Sequence, residues 1–223
     1  MARGVRTALL GGCVLLSPGQ PEPWTSRFEV DPRTLASTGR SPYLSLEPGH
    51  VAMLEAGNER LVITVLGETR RVAGVETRVV EERETHGARL VEVSRNFLAI
   101  DRATGNVYYF GEAVDLYRNG RVVGHEGSWL AGERGARFGL LVPGAAKLGD
   151  RYYQEYAPGQ AMDRARVVSL RAEVSTPAGR YANCLKVEET TPLEPGAKEY
   201  KYYAPGVGLV QDGRLKLVTA GPG

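Results

Sequence analysis

The stretch DRARVVSLRAEVSTPAGRYANCLKVEET, residues 163–190, decides how this chain is read. In its first half Val168, Leu170, Ala172 and Val174 fall on one side of an extended backbone, and Val167, Ser169, Arg171 and Glu173 on the other. Successive strand side chains point to opposite faces, so the two-residue period predicts a strand with one packed face and one wetter face. Thr176-Pro177-Ala178-Gly179 then supplies turn residues, and Arg180 opens a second strand-like run.

The same pattern continues outward in both directions. ERLVITVLG is an apolar run of strand length, and VETRVVEERET, ARLVEVSRNFLAIDR and NVYYFGE follow it. Asn119-Gly120 is a strong hairpin signal ahead of RVVGHEGSW. In the second half RYYQEY, AKEYKYY, VGLVQ and RLKLVTA are further strands. In KYYAPGVGLV, Ala204-Pro205-Gly206 is expected to turn a corner and Gly208 to permit a kink or bulge. No segment carries a 3.6-residue apolar stripe over three turns, which leaves room for at most one short helix near residues 131–136. The 28 Gly and 13 Pro agree with a chain of many turns.

The two halves resemble each other. Pairing Gly74 with Gly179, an offset of 105, aligns an apolar strand before each Gly and an acidic-ended strand after it. It also sets Phe97-Leu98-Ala99 against Tyr202-Tyr203-Ala204. Two meanders are therefore expected, residues 46–112 and 148–213, within one β domain over 46–220. A meander this long must protect its edges, and curling does so. The expected fold is all-β: a single curled antiparallel meander of about 10–12 strands, an open or closed barrel.

The amino terminus differs in character. MARGVR is basic, TALLGGCVLL apolar, and SPGQPEPW breaks the run, which is the order of a secretory signal over residues 1–24. Leu10-Gly11-Gly12-Cys13 also reads as a lipobox, with Cys13 as the lipidation residue. Pro, Ser, Thr and Gly without periodicity mark residues 25–45 as a flexible arm. These features predict an exported protein, periplasmic, on the cell surface or extracellular, touching a membrane only through a lipid at Cys13.

Of the two Cys, only Cys184 lies in the body, so a disulfide framework is excluded. Cys184 sits in a strand-like run and is expected as a packed side chain. A net charge of +2 gives no electrostatic reason to expect nucleic acid. The three histidines, His50, His86 and His125, show no metal-ligand spacing. No nucleophile elbow, phosphate loop, zinc or dinucleotide motif is present, so neither a metal nor a cofactor is called for and no catalytic residue is assigned.

Two side-chain types remain as candidates. Tyr pairs recur at Tyr108-Tyr109, Tyr152-Tyr153 and Tyr202-Tyr203, so each strand sends one ring to either face. Carboxylates lie among them: Glu112 after the first pair, Glu155 in YYQEY, Asp163 in AMDRA and Glu199 in AKEYKYY. Apolar rings with polar tips on a concave sheet suit an amphipathic ligand. The expected ligand-binding residues are Tyr109, Tyr153, Glu155, Glu199 and Tyr203.

GNVYYFGE, HEGSWLAG, YYQEYAPGQAMDRA, TPAGRYANCLKVEETTPLEPG and KYYAPGVGLV together resemble an uncharacterised group of secreted bacterial β-rich proteins, over roughly residues 42–210. That group carries no assigned activity, so the resemblance transfers no catalytic residue. Phe97 stands where the resemblance implies a Trp. The PAG…YYAPGVG ending is also similar to periplasmic proteins of the lipoprotein-carrier type, which implies a curled sheet.

The expected function is binding of an apolar or amphipathic ligand, a lipid or other small molecule, on the concave face. A cell-envelope structural or interaction module is the alternative. A carboxylate enzyme built on Glu155, Asp163 or Glu199 is a further one, and it requires two of these groups to converge in one cleft.

Overall fold

The computed structural model describes residues 23–223; residues 1–22, with the lipidation candidate Cys13, lie outside that range. The described residues contain no helix. Sixteen strands form one sheet, and the pairings between named strands are antiparallel.

The first half is a meander of β2 (His50–Ala56), β3 (Glu59–Val72), β4 (Val75–His86), β5 (Arg89–Asp101) and β6 (Val107–Arg118), each paired with the next. The second half is a meander of β12 (Arg164–Thr176), β13 (Gly179–Thr190), β14 (Glu199–Ala204), β15 (Gly208–Asp212) and β16 (Leu215–Pro222). β16 returns to pair with β2, which joins the halves into one sheet. Between them lie β7 (Arg121–Gly124), β8 (Trp129–Leu130), β9 (Arg137–Val142), β10 (Arg151–Tyr153) and β11 (Glu155–Tyr156), while β1 (Leu35–Ala36) pairs with β5.

Closure comes from one short segment. β10 pairs with β12 at one end of the sheet, and β11 pairs with β9 at the other. Only Gln154 separates β10 from β11, so a single kinked strand leaves one edge and reaches the other. The result is a nearly closed barrel with an unsealed seam at that kink. Gly139 of β9 lies against the kink: a Cβ there would stand 2.2 Å from the Gln154 carbonyl oxygen. Only the absence of a side chain allows this approach.

Turn chemistry sets the hairpins. Asn119 (φ 52°) and Gly120 (φ 72°) both take the left-handed conformation, the two-residue turn that Asn-Gly predicts. The β3–β4 and β12–β13 hairpins, with strands of 14 and 12 and of 13 and 12 residues, stand one residue short of the offset of the two Gly, so Gly74 lies in its turn while Gly179 opens β13. Beyond them the halves diverge: β5 and β6 run 13 and 12 residues, β14 and β15 only 6 and 5.

Three local expectations need correction. The alternation in β12 does not hold, because register shifts fall between Val167 and Ser169, Ser169 and Ala172, and Ala172 and Val174. Val167, expected on the wetter face, is 1% exposed, and Asn183 in the facing strand takes φ 54° as the sheet bends. Residues 131–136 are a turn and not a helix, since Gly132, Arg134 and Gly135 all have positive φ.

The third correction concerns the arm. Residues 25–45 lie along the barrel: Phe28, Val30, Leu35, Tyr43 and Leu44 pack on the main apolar cluster, and Leu46 beyond them is fully buried. The Thr25 amide donates to the Arg151 carbonyl (3.0 Å) and the Tyr153 amide to the Thr25 carbonyl (2.8 Å), so the arm covers the free edge of β10. Buried Arg78 clamps the arm from β4, donating to the Ser37 carbonyl (2.8 Å) and Thr38 Oγ1 (2.6 Å). It also takes the Gly67 carbonyl (2.7 Å), freed by a bulge in β3. These partners are long-range in sequence, and composition carries no sign of them.

Two apolar clusters hold the barrel. The larger includes Phe97, Phe110, Val107, Val142, Leu185 and Tyr203; the smaller joins Leu54, Leu61, Cys184, Val210 and Leu217. Cys184 is fully buried among apolar neighbours, and burial pushes its thiol up from the ordinary value, which suits a packed side chain.

Candidate functional site: an acidic cavity

The barrel wall forms a half-open cavity of about 800 Å³. Its wall is built by alternation. On β5, Glu92, Ser94, Asn96 and Leu98 face it; on β4, Glu82 and Glu84 do. Tyr109 and Glu112 come from β6, Leu141 from β9, and Glu189 and Lys201 from β13 and β14. The kink contributes Gln154 and Glu155, and the loops contribute Asp163 and Glu194. Eight carboxyl groups thus face one lysine.

The lysine is already engaged. Lys201 Nζ lies 3.0 Å from Glu189 Oε2 and 3.6 Å from Asp212 Oδ2. Burial works against its charge, but Asp212 and Glu189 outweigh it and hold the ammonium well above its ordinary pKa. Gln154 Nε2 donates to the other oxygen of Glu189 (2.7 Å) and to the Leu141 carbonyl (3.3 Å), tying β13 to β9 across the seam. Glu189 is therefore fully partnered, while most other carboxyls are not.

Those carboxyls resist ionisation. Glu82 keeps some surface because it faces the cavity, yet protein encloses it on all sides. Burial, helped by Asp212 and Glu84, raises its pKa to about 7. Burial also carries Glu112 to about 7, and the neighbouring Glu82 and Glu92 push in the same direction. Glu155 is pushed well above the usual carboxylate range by burial and then by Glu112 and Asp163. Glu84, Glu92 and Asp163 shift upward for the same first reason. Loss of water around the charged form explains the direction, and neighbouring like charges add to it.

Among the expected ligand residues, Tyr109 and Glu155 line the cavity. The Tyr109 hydroxyl donates to Asn96 Oδ1, and burial lifts its phenol well above the ordinary value. The other three lie elsewhere. Tyr153 packs edge-on between Trp24 and Tyr156. Tyr203 is 4% exposed within the larger apolar cluster. Glu199 lines a separate groove beside Asp163 and Lys198. The strand alternation that splits each Tyr pair does operate: Tyr108 packs on Phe28 and Phe138 while Tyr109 meets the cavity.

The residues missed were Glu82, Glu84, Glu92, Ser94, Asn96, Glu189 and Lys201. Their signal was present as polar residues two apart in VVEERET and VEVSRN. In a sheet with a water-facing exterior such a stripe reads as solvated; only closure turns it inward.

Among the described residues no three His, Cys, Asp or Glu side chains form a metal-binding group. His125 is taken up by Asp115 (3.0 Å) and the Val114 carbonyl (2.9 Å).

No family model, curated protein or solved structure matches this chain.

Proposed function

We propose that this protein is a binding barrel whose cavity holds a cationic, amphipathic organic ligand. The observation that carries this reading is the lining of the cavity, eight carboxyl groups against one already paired lysine. Leu98, Leu141, Ala161 and Leu193 add apolar wall, which suits a ligand with a hydrocarbon part. A buried cation relieves the mutual repulsion of the carboxylates, whereas a purely apolar ligand would strip them of water with no return. Export of the chain, with lipid anchoring at Cys13, belongs to the same proposal and is supported by the leader-like order of residues 1–24.

Calorimetric titration with dodecylamine, dodecanol and dodecanoate tests the ligand class, since the three share one chain and differ in headgroup charge. Saturable binding of dodecylamine alone is expected. Equal binding of dodecanol, or binding of none, overturns the cationic reading.

A second reading, a carboxylate acid–base enzyme, is favoured by one observation: Glu155 and Asp163 line the same cavity, with Glu112 beside them and still partly protonated near neutrality. A carboxyl that retains its proton is what a general acid requires. Hydrolysis of nitrophenyl glycosides or esters that is abolished by Glu155→Gln would support it; no turnover of either class counts against it.

A further inference from the structure

Part of the acidic cavity wall is a row whose spacing follows from the β4–β5–β6 register. Glu92, Ser94 and Asn96 lie two residues apart on β5 and so share one face. Glu84 is the register partner of Glu92, Glu82 of Ser94, and Glu112 of Asn96. Register partners stand side by side on the same face, and all six residues line the cavity. No register shift falls between the first of these pairs and the last, so the row is continuous. Glu92 and Asn96 are about 13 Å apart along the strand. The carboxyls therefore begin near the β4–β5 turn, at Glu84 and Glu92, and run to Glu112.

The opposite face of the same strands is organised differently. There Glu81 lies 3.5 Å from Arg83 and 3.2 Å from Arg95, and Asp115 lies 3.4 Å from Arg95. These outer acids have their cations. On the cavity face, no hydrogen bond or ion pair reaches Glu82, Glu84 or Glu92 among the described residues. Glu84 and Glu92 stand directly opposite each other, which repels when both are charged. Ser94, 6% exposed in the middle of the row, has one long hydrogen bond to its Oγ, from Asn96 Nδ2 at 3.4 Å. Lys201 is held by Glu189 and Asp212. Its charge is the first that Glu82 feels, in the middle of the row, whereas the charges felt first by Glu92 and Glu112 are acidic. Positive charge is thus missing at the two ends.

We infer that the ligand is a linear aliphatic polyamine lying along β5, with one ammonium at the Glu84–Glu92 pair and another beside Glu112. The inference rests on the cationic reading of the cavity and deepens it: the row reads two charges at a spacing. A single ammonium relieves one end and leaves the other. A metal ion fits less well, because no three acids among the described residues form a group that could hold one. Ammonium groups on a chain meet acids singly or in pairs, and each donates hydrogen bonds to carboxylates. The hydrocarbon between them passes the middle of the row, where Lys201 already supplies charge to Glu82.

Calorimetry on the full chain compares dodecylamine with α,ω-diaminododecane, which share one hydrocarbon chain and differ by an ammonium. The diamine is expected to bind about tenfold tighter, the worth of one further charge-assisted contact. Glu84→Gln with Glu92→Gln is expected to remove that advantage and leave dodecylamine affinity within about threefold. The double variant relieves a like-charge pair, so its ligand-free melting temperature is expected not to fall, and the comparison reads the ligand and not folding. If dodecylamine binds and the diamine is no tighter, or if the double variant keeps the full advantage, the polyamine inference is overturned while the cationic reading stands. If neither compound binds, both fall together.

Discussion

The guanidinium of Arg137 lies over the ring of Tyr156, 3.7 Å from its centroid, and the two residues are direct partners in the β9–β11 register. The contact is the end of a ladder. Tyr156 meets Tyr153 at 5.3 Å, Tyr153 meets Trp24 at 6.3 Å, and Arg164 lies over Trp24 at 4.4 Å. Arg164 and Tyr153 are register partners on the other side of the kink. Stacked side chains thus cross the seam where the backbone ladder is interrupted.

Tyr156→Leu is expected to keep the strand and lose the ladder. Cation–π and aromatic pairs are each worth about 0.5–2 kcal/mol. The variant should unfold at lower urea, by about 1–2 kcal/mol, with faster amide exchange confined to residues 151–156. Unchanged exchange there would mean that the backbone and the arm hold the seam without the ladder.

Gly139→Ala tests the kink itself. Its Cβ would stand 2.2 Å from the Gln154 carbonyl oxygen and 2.6 Å from that of Tyr153, and both neighbours are backbone. Nothing flexible can give way, so β9 and the kink must separate. A loss of about 3 kcal/mol or more in chemical unfolding is expected. Gly87→Ala serves as the comparison: no heavy atom lies within 4 Å of a Cβ there, so the cost is limited to its φ of +61°.

The acidic lining makes stability depend on pH in a definite direction. Glu82 and Glu112 have folded-state values of about 7, above the ordinary 4.5 of a free glutamate. The folded state therefore binds more protons between those two values, and the stability these groups contribute is present below about 4.5 and lost as pH rises through about 7. The ligand-free protein is expected to melt on the order of 5 °C lower at the upper end of that window than in its middle. Glu82→Gln with Glu112→Gln should flatten the profile. A melting temperature that rises with pH across the window would contradict the burial of these carboxyls.

Dodecylamine should show the opposite trend. Its affinity is expected to rise through the same window as the carboxyls ionise, read by calorimetry in buffers of matched ionic strength. A pH-independent affinity would place the amine outside the cavity.

Lys201 is the cation the protein supplies for itself. Lys201→Met leaves Glu189 and Asp212 without their ammonium, and removing one member of a buried pair costs about 3 kcal/mol. The ligand-free variant should therefore be less stable but bind dodecylamine more tightly, since the internal competitor is gone. Weaker binding would indicate that Lys201 contacts the ligand itself.

The sheet and its hairpins could be read from residue order because they rest on local rules. Asn119-Gly120 specifies its turn through the conformations those two residues tolerate, and Gly74 and Pro177-Ala178 mark turns between strands of matching length. The site was less visible. Tyr109 and Glu155 were found through the Tyr pairs, but Tyr153, Tyr203 and Glu199 share the same local pattern and lie elsewhere.

The all-β class, the hairpin order and the candidate leader follow from neighbours along the chain, because alternation, turn residues and charge order are properties of a few adjacent positions. Which face became the interior does not. It depended on β16 meeting β2 and on Gln154 carrying the chain from one edge to the other. Only then did Glu82 and Glu92, on the neighbouring strands β4 and β5, come to share one space with Lys201 of β14, far on in sequence, where their charges act on each other.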